Sequence, residues 1–444
     1  MKKLIYALIF VIAFGTSYLL LPYFRNIDNP RLRYVYAITD ASTSHISIPS
    51  DATYYYDAEN GINYRIIRAS SLDDTTIFTK VMGGIGSATV VGYEFVAGRD
   101  YILASDISFL GKALRSTTVG LAVGRVFNGN GYKITNAAIT GGNGIFTVNK
   151  GKIKNLVIDA TCTASGSVIT ANNEGLIESV VNNANVTAST TASSVNGGLA
   201  ALNSGTIRDC VNHGDTTGQG GIVGFNLAEG KIENSINNGV VGTSRLYAGG
   251  IAGRNEGTIT GCENYGDVSG KAPYAGGIAG ISIGTVSASE NNASVIGESA
   301  AGGIAGVFKG LIQDSNNYRL VKATGTSGIA GGIAGRTDSG ATAENTTISG
   351  CKNNAVVIGN TSNGILGNKS DDKATITDTK NYGRLNGKTE LTLKIDAVLA
   401  QFKVIILGVV GALLIFAFIS MIVDRVKIIN NRRREIESVL YGAQ

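Results

Sequence analysis

Residues 249–270 read GGIAGRNEGTITGCENYGDVSG, and this stretch decides the fold because its elements recur along the chain. Alone, it could be a phosphate-binding glycine loop, a metal or redox site, or one unit of a repeat. The doubled-glycine element returns as GGLAA at residue 197, GGIVG at 220, GGIAG at 249, 276, 302 and 331, and NGILG at 363. This recurrence predicts a repetitive fold.

A second element, approximately I-x-x-[CS]-x-N-x-[GA]-x-V, lies between successive copies of the first. Successive asparagines of this element are separated by 30, 25, 27, 27, 26, 36 and 28 residues, a period typical of a solenoid. The asparagines are Asn182, Asn212, Asn237, Asn264, Asn291, Asn317, Asn353 and Asn381.

Each unit consists of short β-type pieces rather than helices. In the quoted copy these pieces are Gly-Ile-Ala, Thr-Ile-Thr and Asp-Val-Ser, separated by glycine or asparagine. We therefore predict an all-β fold, a parallel β-helix (solenoid) of roughly 8 to 10 rungs that stack at about 4.8 Å. The eight asparagines would form one structural ladder, an inward column whose side-chain amides are hydrogen-bonded along the rod.

The repeat resembles the GLUG-motif repeats of bacterial surface proteins, whose units are similar to GGIAG…G-x-I…N-x-G-x-V. The preceding stretches YILASDISF (101–109), VFNGNGYKITNAAI (126–139) and GIFTVNKGKIKNLVI (144–158) resemble the first rungs of such proteins. The resemblance spans about residues 100–388 and implies a right-handed parallel β-helix. Some metallopeptidases that cleave immunoglobulin A carry these repeats, but their zinc motif H-E-x-x-H is missing here, so their activity is not implied.

The residues on either side of the repeat are expected to close its ends. Within residues 25–99, the segments YVYAI, SHISI, TYYYDA and INYRIIRA have the alternation and aromatic content of strands. We expect a small β subdomain that caps the first rung, since an open solenoid end would expose strand edges. Residues 389–403 are expected to close the other end.

Two apolar segments predict a transmembrane helix at each end of the chain. Residues 1–24 combine a basic start with a long apolar run, which favours an uncleaved signal anchor and leaves cleavage open. Residues 404–423 carry no charge and precede the basic tail 424–444. Because basic flanks mark the cytoplasmic side, we expect a cell-membrane protein with both termini cytoplasmic and the repeat domain extracytoplasmic.

Composition argues against several classes of site. The net charge of +5 is concentrated at the two ends, so no nucleic-acid-binding surface is predicted. The glycines lack the strand–helix context of a dinucleotide loop, and no cofactor is predicted. Cys210, Cys262 and Cys351 share a column with small residues, which indicates an interior slot; neither a disulfide nor a metal site is predicted for the four cysteines. The carboxylates are scattered, so no catalytic residue is predicted.

One outward column suggests a ligand-binding surface. The residue after each ladder asparagine points outward, and Tyr265, Tyr318 and Tyr382 occupy this position in every second rung. Their expected spacing of about 9.6 Å is comparable to a disaccharide repeat in an extended glycan. The alternative is that these rings only cover the turn.

These observations lead to three functional hypotheses. The first is a membrane-anchored, non-enzymatic adhesion, binding or scaffold protein of the cell envelope, because stacked rungs offer an extended surface without a pocket. The second is a carbohydrate-active enzyme of the β-helix type, either a lyase or a hydrolase. The third is a structural subunit of a membrane-bound envelope complex. The expected partners are the membrane, an envelope glycan or another surface protein, complex subunits, or a second copy of the chain.

Overall fold

The computed structural model describes residues 45–84, 87–117, 120–188, 195–269, 271–368 and 373–385. The chain divides into two compact units, Met1–Gly387 and Lys388–Gln444. The described residues all belong to the first unit, and they form a parallel β-solenoid. The solenoid prediction is therefore confirmed.

A complete turn contributes five strands, one to each of five sheets that we call S1 to S5. In the quoted stretch and the residues just before it, these strands are Tyr247–Gly249 in S1, Ala252–Asn255 in S2, Thr258–Thr260 in S3, Glu263–Asn264 in S4 and Val268–Ser269 in S5. Equivalent strands of successive turns pair in parallel without a change of register, so that Asn264 lies beside Asn237 and Asn291. Residues at one repeat position therefore form a column.

The strand bounds in the described residues are as follows. S1 contains Tyr247–Gly249, Tyr274–Gly276, Ala300–Gly302, Ile329–Gly331 and Thr361–Asn363. S2 contains Phe146–Asn149, Thr170–Asn173, Ala200–Asn203, Val223–Asn226, Ala252–Asn255, Ala279–Ser282, Ala305–Phe308 and Ala334–Thr337. S3 contains Tyr54–Asp57, Ile62–Ile67, Tyr101–Leu103, Val126–Asn128, Lys152–Lys154, Leu176–Glu178, Thr206–Arg208, Lys231–Glu233, Thr258–Thr260, Thr285–Ser287, Gly310–Gln313, Thr346–Ser349 and Thr375–Thr377.

S4 contains Ile107–Ser108, Lys133–Thr135, Val157–Ile158, Val181–Asn182, Val211–Asn212, Ile236–Asn237, Glu263–Asn264, Glu290–Asn291, Asn316–Asn317, Lys352–Asn353 and Lys380–Asn381. S5 has two sections joined by bridges at Thr216. Its strands are Phe78–Met82, Val90–Phe95, Ala113–Arg115, Ala138–Thr140, Thr163–Ala164, Asn185–Val186, Val241–Gly242, Val268–Ser269, Val295–Gly297, Val321–Ala323 and Val357–Ile358.

The first described residues form two antiparallel hairpins that join the solenoid. Tyr54–Asp57 pairs with Ile62–Ile67, which continues into S3, and Phe78–Met82 pairs with Val90–Phe95, which continues into S5. An aromatic cluster fills this end, with Phe95 packed at centroid distances of 4.8 Å from Phe78 and 5.2 Å from Phe127. The region expected as a cap thus shares sheets and core with the first turns.

The glycines of the GGIAG unit allow two close approaches that a side chain would prevent. A Cβ on Gly249 would lie 1.8 Å from the carbonyl oxygen of Ala252, so only glycine fits the corner between S1 and S2. A Cβ on Gly250 would lie 2.2 Å from Cγ of Asn264, so this glycine leaves space for the asparagine ladder. The next residue, Ile251, has a side chain completely buried in the core, where each such side chain contributes roughly 1.5–3 kcal/mol.

The prediction of a transmembrane helix at each end is corrected by the fold. The described residues are folded as short strands with one 3-10 turn, Ala69–Asp73, and none of their helices has the length and apolar character needed to cross a membrane. The expected location, in the cell membrane with cytoplasmic termini and extracytoplasmic repeats, is corrected with it. Residues 1–24, 389–403, 404–423 and 424–444 lie outside the described residues.

Candidate functional site

The eight ladder asparagines form one continuous chain of hydrogen bonds along S4. In each of the seven steps, Nδ2 of one asparagine donates to Oδ1 of the asparagine in the next turn at 2.8–2.9 Å. Each Nδ2 also donates to a backbone carbonyl two residues further on, as Asn264 does to Gly266 at 3.0 Å. Asn182 to Asn353 are completely buried, and Asn381 is exposed at the end. These buried amides therefore have partners inside the protein, which makes them structural groups.

A second ladder, which the sequence analysis missed, runs through S2. Nδ2 of Asn149 donates to Oδ1 of Asn173 at 2.7 Å, and the chain continues through Asn203, Asn226 and Asn255. It ends where Nδ2 of Asn255 donates to the hydroxyl of Ser282 at 3.1 Å. In the next turn Phe308 replaces the polar residue. Two amide columns, one on each side of the apolar core, therefore hold the central turns in register.

The cysteine column is a closed interior slot. Cys210, Cys262 and Cys351 are free thiols with no exposed surface, and burial raises the pKa of Cys210 and of Cys262 to about 12. The hydroxyl groups at this position in the next turn do not accept the thiol protons. They accept backbone N–H groups instead, as the Ser235 hydroxyl accepts the N–H of Cys210 at 3.2 Å. Cys162 is also free and buried, and the described residues contain no cluster suited to a metal ion.

The three sequence-predicted tyrosines lie on the outer face of S4. Tyr265 is partly buried, whereas the exposed fractions of Tyr318 and Tyr382 are 40% and 62%. Asn292 and Asn354 occupy the turns between them, so the rings alternate with amides along the column. The structure therefore places all three on one face but separates each from the next by a full turn.

Two of these tyrosines contact a pair of glutamates. Glu263 and Glu290 lie directly opposite each other on neighbouring S4 strands. The hydroxyl of Tyr265 donates to Glu263 at 2.6 Å, and that of Tyr318 donates to Glu290 at 3.3 Å. Burial, reinforced by the charge of Glu290, raises the pKa of Glu263 although the Tyr265 hydroxyl opposes the shift. The expectation that the carboxylates are scattered does not hold for these two.

A groove lies between the outer faces of S1 and S2. At the corner of the groove, the glycines equivalent to Gly249 and Gly253 in successive turns allow S1 and S2 to approach closely. For example, a Cβ on Gly280, which is equivalent to Gly253, would lie 2.8 Å from the backbone nitrogen of Ala248. Outward side chains of the two sheets then pack on each other: the exposed fraction of Ile281 is 8%, of Ala300 0% and of Val307 2%. These residues form an apolar floor outside the main core.

Aromatic rings and an arginine line the walls of this groove. Tyr247 and Tyr274 occupy the same S1 position in successive turns, and their rings stack at a centroid distance of 6.4 Å. Phe225 packs against Tyr247 at 5.9 Å. Arg336 covers the other tyrosine: its Cζ lies 4.9 Å from the ring centroid of Tyr274, and its Nη2 donates to the Tyr274 hydroxyl at 2.8 Å.

The groove widens into an open pocket of about 630 Å³ at its C-terminal end. This volume is within the usual range for small-ligand sites. Polar groups form much of the rim, where the chain between Thr337 and Thr346 is longer than in other turns. The lining of the pocket includes Tyr274, Ile281, Val307, Arg336, Asp338 and Lys373.

The groove residues could have been found from the sequence by a fuller alignment of the copies. Tyr247 and Tyr274 each lie two residues before the start of a doubled glycine, and the local sequence is YAGG in both turns. Arg254 and Arg336 each follow a GGIAG motif directly, two residues after its alanine. What the alignment does not contain is the angle between S1 and S2, which turns these positions toward each other.

Comparisons with known proteins give a solved structure that is similar to this chain at low sequence identity. No family model matches the chain, and no curated protein matches it. Among solved structures, it is similar to a crystal structure described as "a putative immunoglobulin A1 protease from Bacteroides ovatus", with 18% identity and a TM-score of 0.36. The match covers 67% of this chain and 79% of that one. At this identity and TM-score, the activity of that protein is not transferred to this chain.

Proposed function

We propose that this protein is a non-enzymatic binding or scaffold protein and that its S1–S2 groove binds an extended glycan. The observation that carries the proposal is the pair of stacked rings, Tyr247 and Tyr274, in an open groove with an apolar floor and a polar rim. Sugar rings have an apolar face and a hydroxylated edge, and such a groove can contact both. The GLUG-like repeats, whose resemblance to surface proteins is a sequence expectation, agree with this role.

The shape of the groove favours a chain-like ligand over a compact one. It follows the axis of the rod, and neighbouring turns are about 4.8 Å apart, so Tyr247 to Thr361 spans four steps or about 19 Å. A chain of a few sugar units has a comparable length. Because the walls are preformed by backbone pairing, little conformational entropy is lost on binding.

The test measures binding of the full chain to a panel of hexasaccharides: cellohexaose, xylohexaose, chitohexaose and hexagalacturonate. We expect at least one to bind, and Tyr274→Ala to weaken that binding about tenfold or more, which corresponds to about 1.4 kcal/mol. Tyr56→Ala, at a ring with an exposed fraction of 63% outside the groove, is the matched control and should leave the affinity unchanged. If no saccharide binds while extended peptides do, the proposal is wrong.

A second candidate, a retaining glycoside hydrolase of the β-helix type, is favoured by one observation. Glu263 and Glu290 pair on adjacent strands about 4.8 Å apart, a backbone spacing that allows their carboxylates to reach the separation of roughly 5–5.5 Å found in retaining enzymes. The raised pKa of Glu263 suits a general acid. Release of reducing ends from the same glycans, abolished by Glu290→Gln, would favour this candidate over simple binding.

A further inference from the structure

Arg336 is a charged residue that lines the pocket at the end of the groove. Its guanidinium lies over Tyr274 and donates one hydrogen bond to that hydroxyl. Its Nε is buried and has no hydrogen-bond partner, which is also true of Nε of Arg254. Among the described residues no carboxylate forms an ion pair with it. A partly buried guanidinium that lacks a counterion has a high free energy unless a ligand supplies one.

Arg254 provides an internal comparison, because it occupies the same outward column of S2. This column runs from Phe225 through Arg254, Ile281 and Val307 to Arg336, one residue per turn. The two arginines differ in their counterion: Nε of Arg254 lies 2.6 Å from Oε1 of Glu256, an ion pair without the geometry of a hydrogen bond. The charge of Arg254 is therefore neutralised by Glu256, a residue of the same turn.

Asp338, the acid at the corresponding position after Arg336, makes a different contact. Asp338 stands two residues after Arg336, as Glu256 stands two residues after Arg254. Its side chain is shorter by one methylene group, and its Oδ1 accepts the backbone N–H of Gly340 at 3.0 Å instead. Lys373 lines the same pocket and adds a second cation. The described lining of the pocket therefore carries two cations, Arg336 and Lys373, and one carboxylate, Asp338, so cations are in excess by one.

We infer that the groove is selective for an acidic glycan, and that Arg336 binds a carboxylate of a uronic acid unit whose ring packs beside Tyr274. This inference rests on the proposed function and deepens it. A guanidinium presents N–H donors that match a carboxylate. Nε of Arg336 is buried and its Nη2 donates to Tyr274, so Nη1, which makes no hydrogen bond to the described residues, is the donor left for a ligand in the pocket. The tyrosine below holds the guanidinium in place through a hydrogen bond and a cation–π contact.

The discriminating experiment compares acids with their neutral esters on the same sugar backbone. Hexagalacturonate, a hexamer of mannuronate and a hyaluronan hexasaccharide are titrated into the full chain, each beside its methyl ester, and cellohexaose serves as a neutral reference. We expect at least one acid to bind about tenfold or more tightly than its ester. The preference should fall as sodium chloride rises from 50 to about 300 mM, since screening weakens exposed charge pairs.

Two variants assign the preference to one residue. Arg336→Gln should reduce the acid-to-ester ratio to about one, while retaining the ester affinity to within about threefold. Arg254→Gln, the matched arginine that Glu256 already neutralises, should retain the ratio. Arg336→Lys should keep part of it, because the charge remains and the forked donor geometry is lost.

The outcomes separate the two proposals. If neutral saccharides bind and no acid is preferred over its ester, or if Arg336→Gln leaves the ratio unchanged, the acidic-ligand inference is wrong and glycan binding stands. If no saccharide of the series binds at all, both are wrong. Circular dichroism and thermal unfolding of each variant show whether a loss of affinity reflects a loss of fold.

Discussion

The outer face of S4 and the S1–S2 groove both carry tyrosines at repeat positions, yet the two surfaces differ in what surrounds each ring. On S4, Tyr265 and Tyr318 are two turns apart and donate their hydroxyls to glutamates of the same face. In the groove, Tyr247 and Tyr274 are one turn apart and stack, and Arg336 covers the second ring.

The difference lies in spacing and in backbone curvature. Rings in successive turns are separated by about one strand spacing of 4.8 Å and can stack, whereas rings in alternate turns cannot. The glycine corner then folds S1 toward S2 and gives the stacked rings an opposing wall. Regular recurrence along a solenoid is therefore a weaker indication of a binding site than two outward faces that meet.

The largest expected effect comes from removing the glycine corner. In Gly302→Ala, the new Cβ would lie 1.8 Å from the carbonyl oxygen of Ala305, which cannot move without breaking S1 or S2. We expect the free energy of unfolding to fall by at least about 3 kcal/mol, measured by denaturant titration. Gly242→Ala is the matched control, because nothing lies within 4 Å of its added Cβ. An equal, small effect of both would show that the groove does not depend on this corner.

A somewhat smaller effect is expected inside S4. Asn264→Ala removes the acceptor of Asn237 and the donor to Asn291, two buried groups in the middle of the ladder. We expect a loss of about 2 kcal/mol in the free energy of unfolding. Asn381→Ala, at the exposed end of the same ladder, should cost less than about 1 kcal/mol. Equal costs at both positions would contradict a continuous buried ladder.

The smallest effect concerns the carboxylate pair on the S4 face. Because the folded state raises the pKa of Glu263, its ionisation destabilises the fold as pH rises above the ordinary glutamate value of 4.5. Glu263→Gln should therefore raise the melting temperature by a few degrees at pH 7 and leave it unchanged near about pH 4. In a Glu290→Gln background the gain should shrink, since the neighbouring charge is removed. A gain that is the same at both pH values would exclude this electrostatic cause.

The parts of the fold that depend on one residue type per turn could be predicted from the sequence. The asparagine period predicts the S4 ladder, because identical residues in register must stack, and the S2 ladder was readable from Asn149, Asn173, Asn203, Asn226 and Asn255 by the same reasoning. The prediction of three strands per turn was too low. Thr-Ile-Thr and Asp-Val-Ser correspond to S3 and S5, but Gly-Ile-Ala spans the corner between two separate strands, S1 and S2. The S4 strand, such as Glu263–Asn264, has two residues and is too short to show an alternation.

The groove could not be predicted in the same way. It depends on the angle at Gly249, where the chain turns so sharply that the outward faces of S1 and S2 meet. Sequence alternation assigns Tyr247 and Arg254 to the outside of the solenoid. It does not show that the outer face of S1 is turned toward the outer face of S2. For Arg336, the sequence does not show that Asp338 accepts the N–H of Gly340 and forms no ion pair with the guanidinium.

The most direct test of the account compares glycan affinity after removal of each set of rings. The saccharide of the panel that binds most tightly is titrated into the full chain, into Tyr274→Ala, and into the triple variant Tyr265→Ala, Tyr318→Ala, Tyr382→Ala. The account predicts a loss of about tenfold or more for the single groove variant and less than about twofold for the triple variant. A large loss in the triple variant with Tyr274→Ala unaffected would place the binding surface on S4 and contradict the account.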